Sequence, residues 1–216
     1  VPYAEISDQI KKATIAIEDA DFYNHHGIKI KAIVRAIIAN LTGGTGGGST
    51  ITQQVIKNSL LTSEKAISRK MKEWVLAIRL EKIMSKEEIL SVYLNENPYG
   101  GSIYGVEEAS KTFFNKKSSN VTLAEAAYLA AIPNAPTYYS PYGNNKDKLD
   151  IRKNLVLQKM LENNFITKIE YEKAKKENVI FQPRQGNSLR APHFVEYIRQ
   201  YLENKYHITT VMICAD

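Results

Sequence analysis

The chain has 216 residues, 44% of them hydrophobic and 24% charged, which suffices for one large or two small globular domains with a sizeable core. Its net charge of +6 favours anionic partners, whether nucleic acid, phosphorylated substrates or an anionic membrane. A single cysteine, Cys214, excludes a disulfide framework or a thiolate metal site, the four histidines lack metal-ligand spacing, and nothing reads as a bilayer span or a signal peptide.

In chain order, the first element is ISDQIKKATIAI, where Ile6, Ile10, Ala13, Thr14 and Ile17 recur at helical spacing and predict a buried face. Glu18 follows at the rim of that face and opens the cluster EDADFYNHHG, with Asp19, Asp21, Phe22, Tyr23, His25 and His26. A carboxylate at such a rim is partly dried without being entombed, the setting in which it can take a proton near neutral pH. By itself the cluster also fits a solvated helix end.

GIKIKAIVRAIIANL, with Ile30, Ile33, Ile37, Ile38 and Leu41 on one side and Lys29, Lys31 and Arg35 on others, predicts an amphipathic helix with a basic flank. The pattern suits a core helix or one lying against anionic lipid equally well. The glycine-rich stretch at about 42–48 predicts a mobile loop, and Ser49 or Thr50 can cap the helix ITQQVIKNSLL that follows. A helix start after such a loop can bind phosphate, although no Walker lysine is present. Gln54 and Lys57, three apart, share a face of that helix.

AISRKMKEWVLAIRLEKI predicts the longest helix, with Ile67, Met71, Trp74, Val75 and Ile78 on its apolar side. Lys57, Lys65, Arg69, Lys70 and Lys72, against only Glu64 and Glu73, hold more cation than a salt-bridged face needs, and mark a place for a multiply charged anion. Ser85–Glu88, Thr122–Glu125 and Thr167–Glu170 read as three capping boxes. The first opens KEEILSVYLNEN, and the Gly- and Tyr-rich loop PYGGSIYG follows. After a helix at Val106–Phe114, the second opens TLAEAAYLAAI, apolar on nearly all sides and therefore buried. DKLDIRKNLVLQKMLEN and PHFVEYIRQYLENKY predict further helices, and the tail HITTVMICAD is β-rich without a nearby partner. Strand signals are scarce, so the expected fold is mainly α, with around nine or ten helices.

Five ordered motifs run between Glu18 and Pro136. Glu18, Asp19, Phe22, His25 and Gly27 form the first; Gly47, Ser49, Thr50, Gln53, Gln54, Lys57 and Asn58 the second. Arg69, Lys70 and Glu73 form the third; Ile89, Leu90, Tyr93, Leu94, Asn95 and Gly100 the fourth; Ala130, Pro133, Ala135 and Pro136 the fifth. In these motifs the chain resembles the peptidoglycan glycosyltransferase domain of class A penicillin-binding proteins and monofunctional transglycosylases.

The resemblance implies a lysozyme-like helical fold with a smaller membrane-proximal lobe. It implies that residues 1–180 form the glycosyltransferase domain. Residues 181–216 would be a C-terminal linker and helix, of the kind that leads to a transpeptidase domain in bifunctional relatives. Glu18 is then the general base and Glu73 the second carboxylate, orienting cations or sugar. Asp19, Ser49, Thr50, Gln54, Lys57, Lys65, Arg69, Lys70 and Asn95 are the expected substrate-binding residues. Lys65 stands where many relatives carry Arg, so its phosphate contact would be less directional.

The implied substrates are lipid II and the growing glycan strand. No protein-bound metal or cofactor is required, though Mg or Mn on the substrate diphosphate is compatible with the sequence. The implied location is the outer face of the bacterial cytoplasmic membrane, through an N-terminal anchor outside this chain. Cell-wall synthesis proteins are the natural partners, and nucleic acid is not expected. One rival is a lysozyme-like hydrolase or lytic enzyme, which would not need the cationic cluster. Another is a basic helical module for nucleic acid or membrane, which would need aromatic residues interleaved with the basic ones.

Overall fold

The computed structural model describes residues 1–31, 33, 35, 48–60 and 66–184. The chain divides into two compact units, Val1–Gln182 and Pro183–Asp216, and all the elements below belong to the first. The described elements are mainly helical: α1 (Asp8–Glu18), α2 (Ile51–Leu60), α3 (Ala66–Ile83), α4 (Lys86–Glu96), α5 (Val106–Phe114), α6 (Leu123–Ala131), α7 (Lys146–Glu162) and α8 (Lys168–Lys176). Pro98–Gly100 and Ile103–Tyr104 pair as a small antiparallel hairpin where the sequence suggested only a loop.

Helix α6 is the centre of the core. Its run of alanines lets neighbours approach closely, and α1 and α7 pack against it and against each other. Leu129 and Ile132 are fully buried there, each contributing roughly 2 kcal/mol of apolar transfer. The helix starts as its sequence prescribes. The Thr122 side chain accepts from the Glu125 N–H, and Glu125 accepts from the Thr122 N–H and pairs with Lys116 at 2.7 Å, so this buried acid is fully engaged. The boxes at Ser85–Glu88 and Thr167–Glu170 form in the same way.

Helix α1 buries Ile10, Ala13 and Thr14, as its periodicity predicts, and ends at Glu18. Helix α3 departs from expectation. Met71 and Val75 are 60% and 52% exposed, while Glu73 and Ala77 are buried. Two contacts reverse the face. Lys70 pairs with Glu73 and so permits its burial, and the turn at Gly27 lies directly on the backbone at Ala77. Of the predicted basic-flanked helix after Gly27, Ile30, Lys31, Ile33 and Arg35 are helical, and the remainder lies outside the described residues. So do the rest of the glycine-rich loop before Gly48, Lys65, the predicted helix at 192–206 and the tail.

Gly27 has φ +85°, and a Cβ there would lie 2.6 Å from the Ala77 carbonyl oxygen. Neither the backbone nor the space admits a side chain. Gly27→Ala is therefore expected to destabilise the fold by about 2 kcal/mol or more, measured by denaturant unfolding. Unchanged stability would show that α3 is not packed on this turn.

Candidate active site

Glu18 sits at the C-terminal end of α1 with its side chain 14% exposed. The Gln54 amide, from α2, donates to Glu18 Oε2 at 2.8 Å. Gln54 is itself oriented by the Tyr93 hydroxyl of α4, which donates to its Oε1 at 3.4 Å. Burial raises the Tyr93 pKa, and the nearby Glu18 charge raises it further, so the phenol stays protonated and serves as a donor. On the other side, Arg152 Nη2 of α7 lies 4.0 Å from Glu18 Oε1. Its Nε donates to the carbonyl of Ala131 in the last turn of α6, and its guanidinium lies 5.3 Å from the centroid of the Tyr139 ring. Cations are favoured at a helix C-terminus, which explains why the side chain is held there. Arg152 stands in a plain amphipathic pattern and was not legible as a site residue.

Asp19 points the other way, into the protein. Its side chain is wholly buried, and Oδ2 accepts from His25 Nε2 at 2.8 Å and from the Ile51 N–H at 3.0 Å. Lys29 Nζ lies 2.6 Å from Oδ1. Burial alone would raise the Asp19 pKa, but the hydrogen bonds from His25 and Lys29, with the Ile51 N–H, outweigh it and hold the carboxyl below its ordinary value. One acid thus joins the turn after α1 to the first turn of α2.

Thr50 completes that junction. Its hydroxyl donates to the Gly27 carbonyl at 2.6 Å and accepts from the Gln53 N–H, while the Gln53 side chain accepts from the Thr50 N–H. This is a fourth capping box, with Gln in the acidic position. It settles that Thr50 rather than Ser49 caps α2. Asp19 and Thr50, both expected to bind substrate, are buried and tie the turn after α1 to the start of α2.

Ser49, half-buried just before α2, accepts from Lys70 Nζ of α3 at 2.9 Å, and the same ammonium pairs with the buried Glu73. Lys57 is exposed on α2 and Arg69 half-buried on α3, and neither has a carboxylate partner among the described residues. Helix α2 is thus the common element: Gln54 holds Glu18, Lys57 lies one turn on, and Ser49 at its start meets the Lys70–Glu73 pair. Asn95 is not tied to this group by any of its hydrogen bonds. Its amide donates to the carbonyls of Ser91 at 2.8 Å and Val1 at 2.9 Å, and its oxygen accepts from the Val1 ammonium at 2.6 Å. It is Asn97 that approaches α2, 3.5 Å from Asn58. Among the described residues no group of His, Cys, Asp and Glu is arranged to hold a metal ion.

The family model described as transglycosylase matches residues 1–161. The chain belongs to the transglycosylase family. That membership makes it an enzyme domain of glycosyl transfer. Penicillin-binding protein 1A of Aquifex aeolicus is 40% identical over 94% of this chain and 28% of the relative. Penicillin-binding protein 1A/1B of Bacillus subtilis is 43% identical over 93% of this chain and 23% of the relative. A crystal structure of penicillin-binding protein 1A from Haemophilus influenzae is 30% identical, with a TM-score of 0.48 over 72% of this chain and 20% of that one. The chain spans about a quarter of the length of the curated relatives it matches.

In this transglycosylase domain the buried Asp19 network has a measurable pH signature. Asp19→Asn is expected to cost about 2–4 kcal/mol at neutral pH, by removing the buried charge that Lys29 and His25 pair with. The stabilisation is complete above the ordinary carboxyl value of 3.8 and is lost as the pH falls through the lower folded value. The gap between variant and parent in denaturant melts should therefore close below that pH. A gap that stays constant into strong acid would contradict the charged network.

Proposed function

We propose that this domain polymerises lipid II into β-1,4-linked glycan strands, with inversion at the donor carbon and release of undecaprenyl diphosphate. The single observation that carries the reading is that α2 bears both Gln54, which holds the partly dried Glu18, and Lys57, while Ser49 at its start meets Lys70 of α3, the neighbour of Arg69 in sequence. Among the described residues Lys57 and Arg69 have no carboxylate partner. Glu18 takes the proton from the acceptor sugar's 4-hydroxyl as that oxygen attacks the donor anomeric carbon. The bond from that carbon to the diphosphate breaks, and the electron pair leaves with the diphosphate. Gln54 fixes the base and leaves Oε1 for the incoming proton.

The leaving group is charged before the reaction and gains charge in the transition state, so fixed cations lower the barrier. Lys57, Arg69 and Lys70 are assigned that role, with Lys65 beside them by sequence and Ser49 as a polar contact. Glu73, paired with Lys70, orients the cation. It does not serve as an acid, because a diphosphate leaves without a proton. Mg or Mn would enter on the diphosphate, since lysine and arginine do not ligate it. The exposed Met71 and Val75 on α3, beside the exposed basic residues Lys72 and Arg79, support a membrane-surface location suited to a lipid-linked donor. Among the described residues no helix is long and apolar enough to cross a membrane.

A glycan hydrolase on the same polymer is the rival. It gains nothing from Lys57 and Arg69, because its leaving group is a sugar hydroxyl. Incubation with labelled lipid II and, separately, with finished glycan discriminates the two: chain growth supports the transferase and chain shortening the hydrolase. Glu18→Gln should lower polymerisation by about 10²-fold or more with lipid II binding nearly unchanged, and a variant keeping most of its turnover would rule out the base assignment. Lys57→Ala and Arg69→Ala should weaken both donor binding and turnover, because the diphosphate is charged in ground and transition states alike. A loss confined to turnover would place these cations elsewhere.

A further inference from the structure

Behind the site lies a buried charge cluster that the reaction does not use. Glu81 of α3, with its side chain 5% exposed, accepts from the Thr52 hydroxyl of α2 at 2.5 Å and from Lys86 Nζ of α4 at 2.7 Å. His25 Nδ1 lies 3.9 Å from the same oxygen, while the other ring nitrogen of His25 holds Asp19. Lys86 also donates to the His25 carbonyl at 2.7 Å and sits 4.6 Å from the centroid of the Phe22 ring. One carboxylate therefore grips α2, α4 and the turn that follows Glu18. Burying an acid and a base so deeply is costly, and apolar residues would fill the space at lower cost.

We propose that Glu81 is a positioning residue for Glu18, acting through Thr52 and α2, which carries Gln54 to the Glu18 carboxylate. The proposal rests on reading Glu18 as the base. Asp19 and His25 fix the residue after Glu18, and Thr52 fixes the helix two residues before Gln54. Together they set the 2.8 Å contact between the Gln54 amide and Glu18. Release of Glu81 lets α2 shift, and Glu18 loses a donor that favours its charged form. The other groups near Glu18 are Arg152 of α7 and Tyr93 of α4, and neither touches Glu81.

The experiment compares the parent chain with Glu81→Gln and Thr52→Val by NMR of the Gln54 side-chain amide, assigned by its absence in Gln54→Glu. Thr52→Val changes no charge and keeps the residue's shape, so it carries the test if Glu81→Gln does not fold. In both variants the Gln54 amide signal should move from its parent position toward the position it takes in Glu18→Ala, where its acceptor is gone. In lipid II turnover, kcat should fall several-fold with KM nearly unchanged. A Gln54 signal that stays at the parent position in the folded variants overturns the proposal. Because the NMR measurement needs no substrate, a parent chain that fails to polymerise lipid II would instead sink the functional reading.

Discussion

The buried carboxylate of Asp19 is the interaction on which the site depends. It follows Glu18 directly, and its oxygens take up His25, Lys29 and the first N–H of α2. Those bonds cross from the end of α1 to a helix more than thirty residues later, so they fix where Glu18 stands relative to Gln54. A charge this deep is tolerable because His25, Lys29 and the Ile51 N–H compensate it. Gly27 serves the same junction by geometry, since its lack of a side chain lets the turn lie on α3 while its carbonyl accepts from Thr50.

Around this junction the charges are sorted. The buried acids Asp19, Glu73 and Glu81 all have cationic partners. Lys57 and Arg69 have no carboxylate partner among the described residues and stand on the two helices that meet at Ser49. Stability alone would favour pairing them. In the proposed reaction they would supply a preorganised positive field for an anion that arrives with its charge and gains more as a bond breaks. Glu18 lies between these regimes, neither sealed in the core nor left to bulk solvent.

Much of this was legible in the sequence, for local reasons. The three Ser/Thr–Glu capping boxes formed because their hydrogen bonds close within four residues. The face of α1 and the all-round burial of α6 followed from periodicity. What failed to read was non-local. Periodicity assigned Met71 and Val75 of α3 to the core, yet Glu73 and Ala77 are buried there, because Lys70 compensates the acid and the Gly27 turn occupies the space at Ala77. Arg152 could not be picked out, since its partners Glu18, Ala131 and Tyr139 come together only in the fold. Thr52, Glu81 and Lys86 lay outside the residues read as functional, and only their convergence marks them.

The most direct test of the central claim, that Glu18 and the cations Lys57 and Arg69 act on one substrate, is a crystal structure of the domain with an unreactive lipid II analogue in the donor position and an acceptor sugar beside it. The expected result places the diphosphate oxygens within ion-pair reach of Lys57 and Arg69, and the acceptor 4-hydroxyl within hydrogen-bonding distance of Glu18. A diphosphate bound away from both cations, or an acceptor hydroxyl facing a different base, would contradict it.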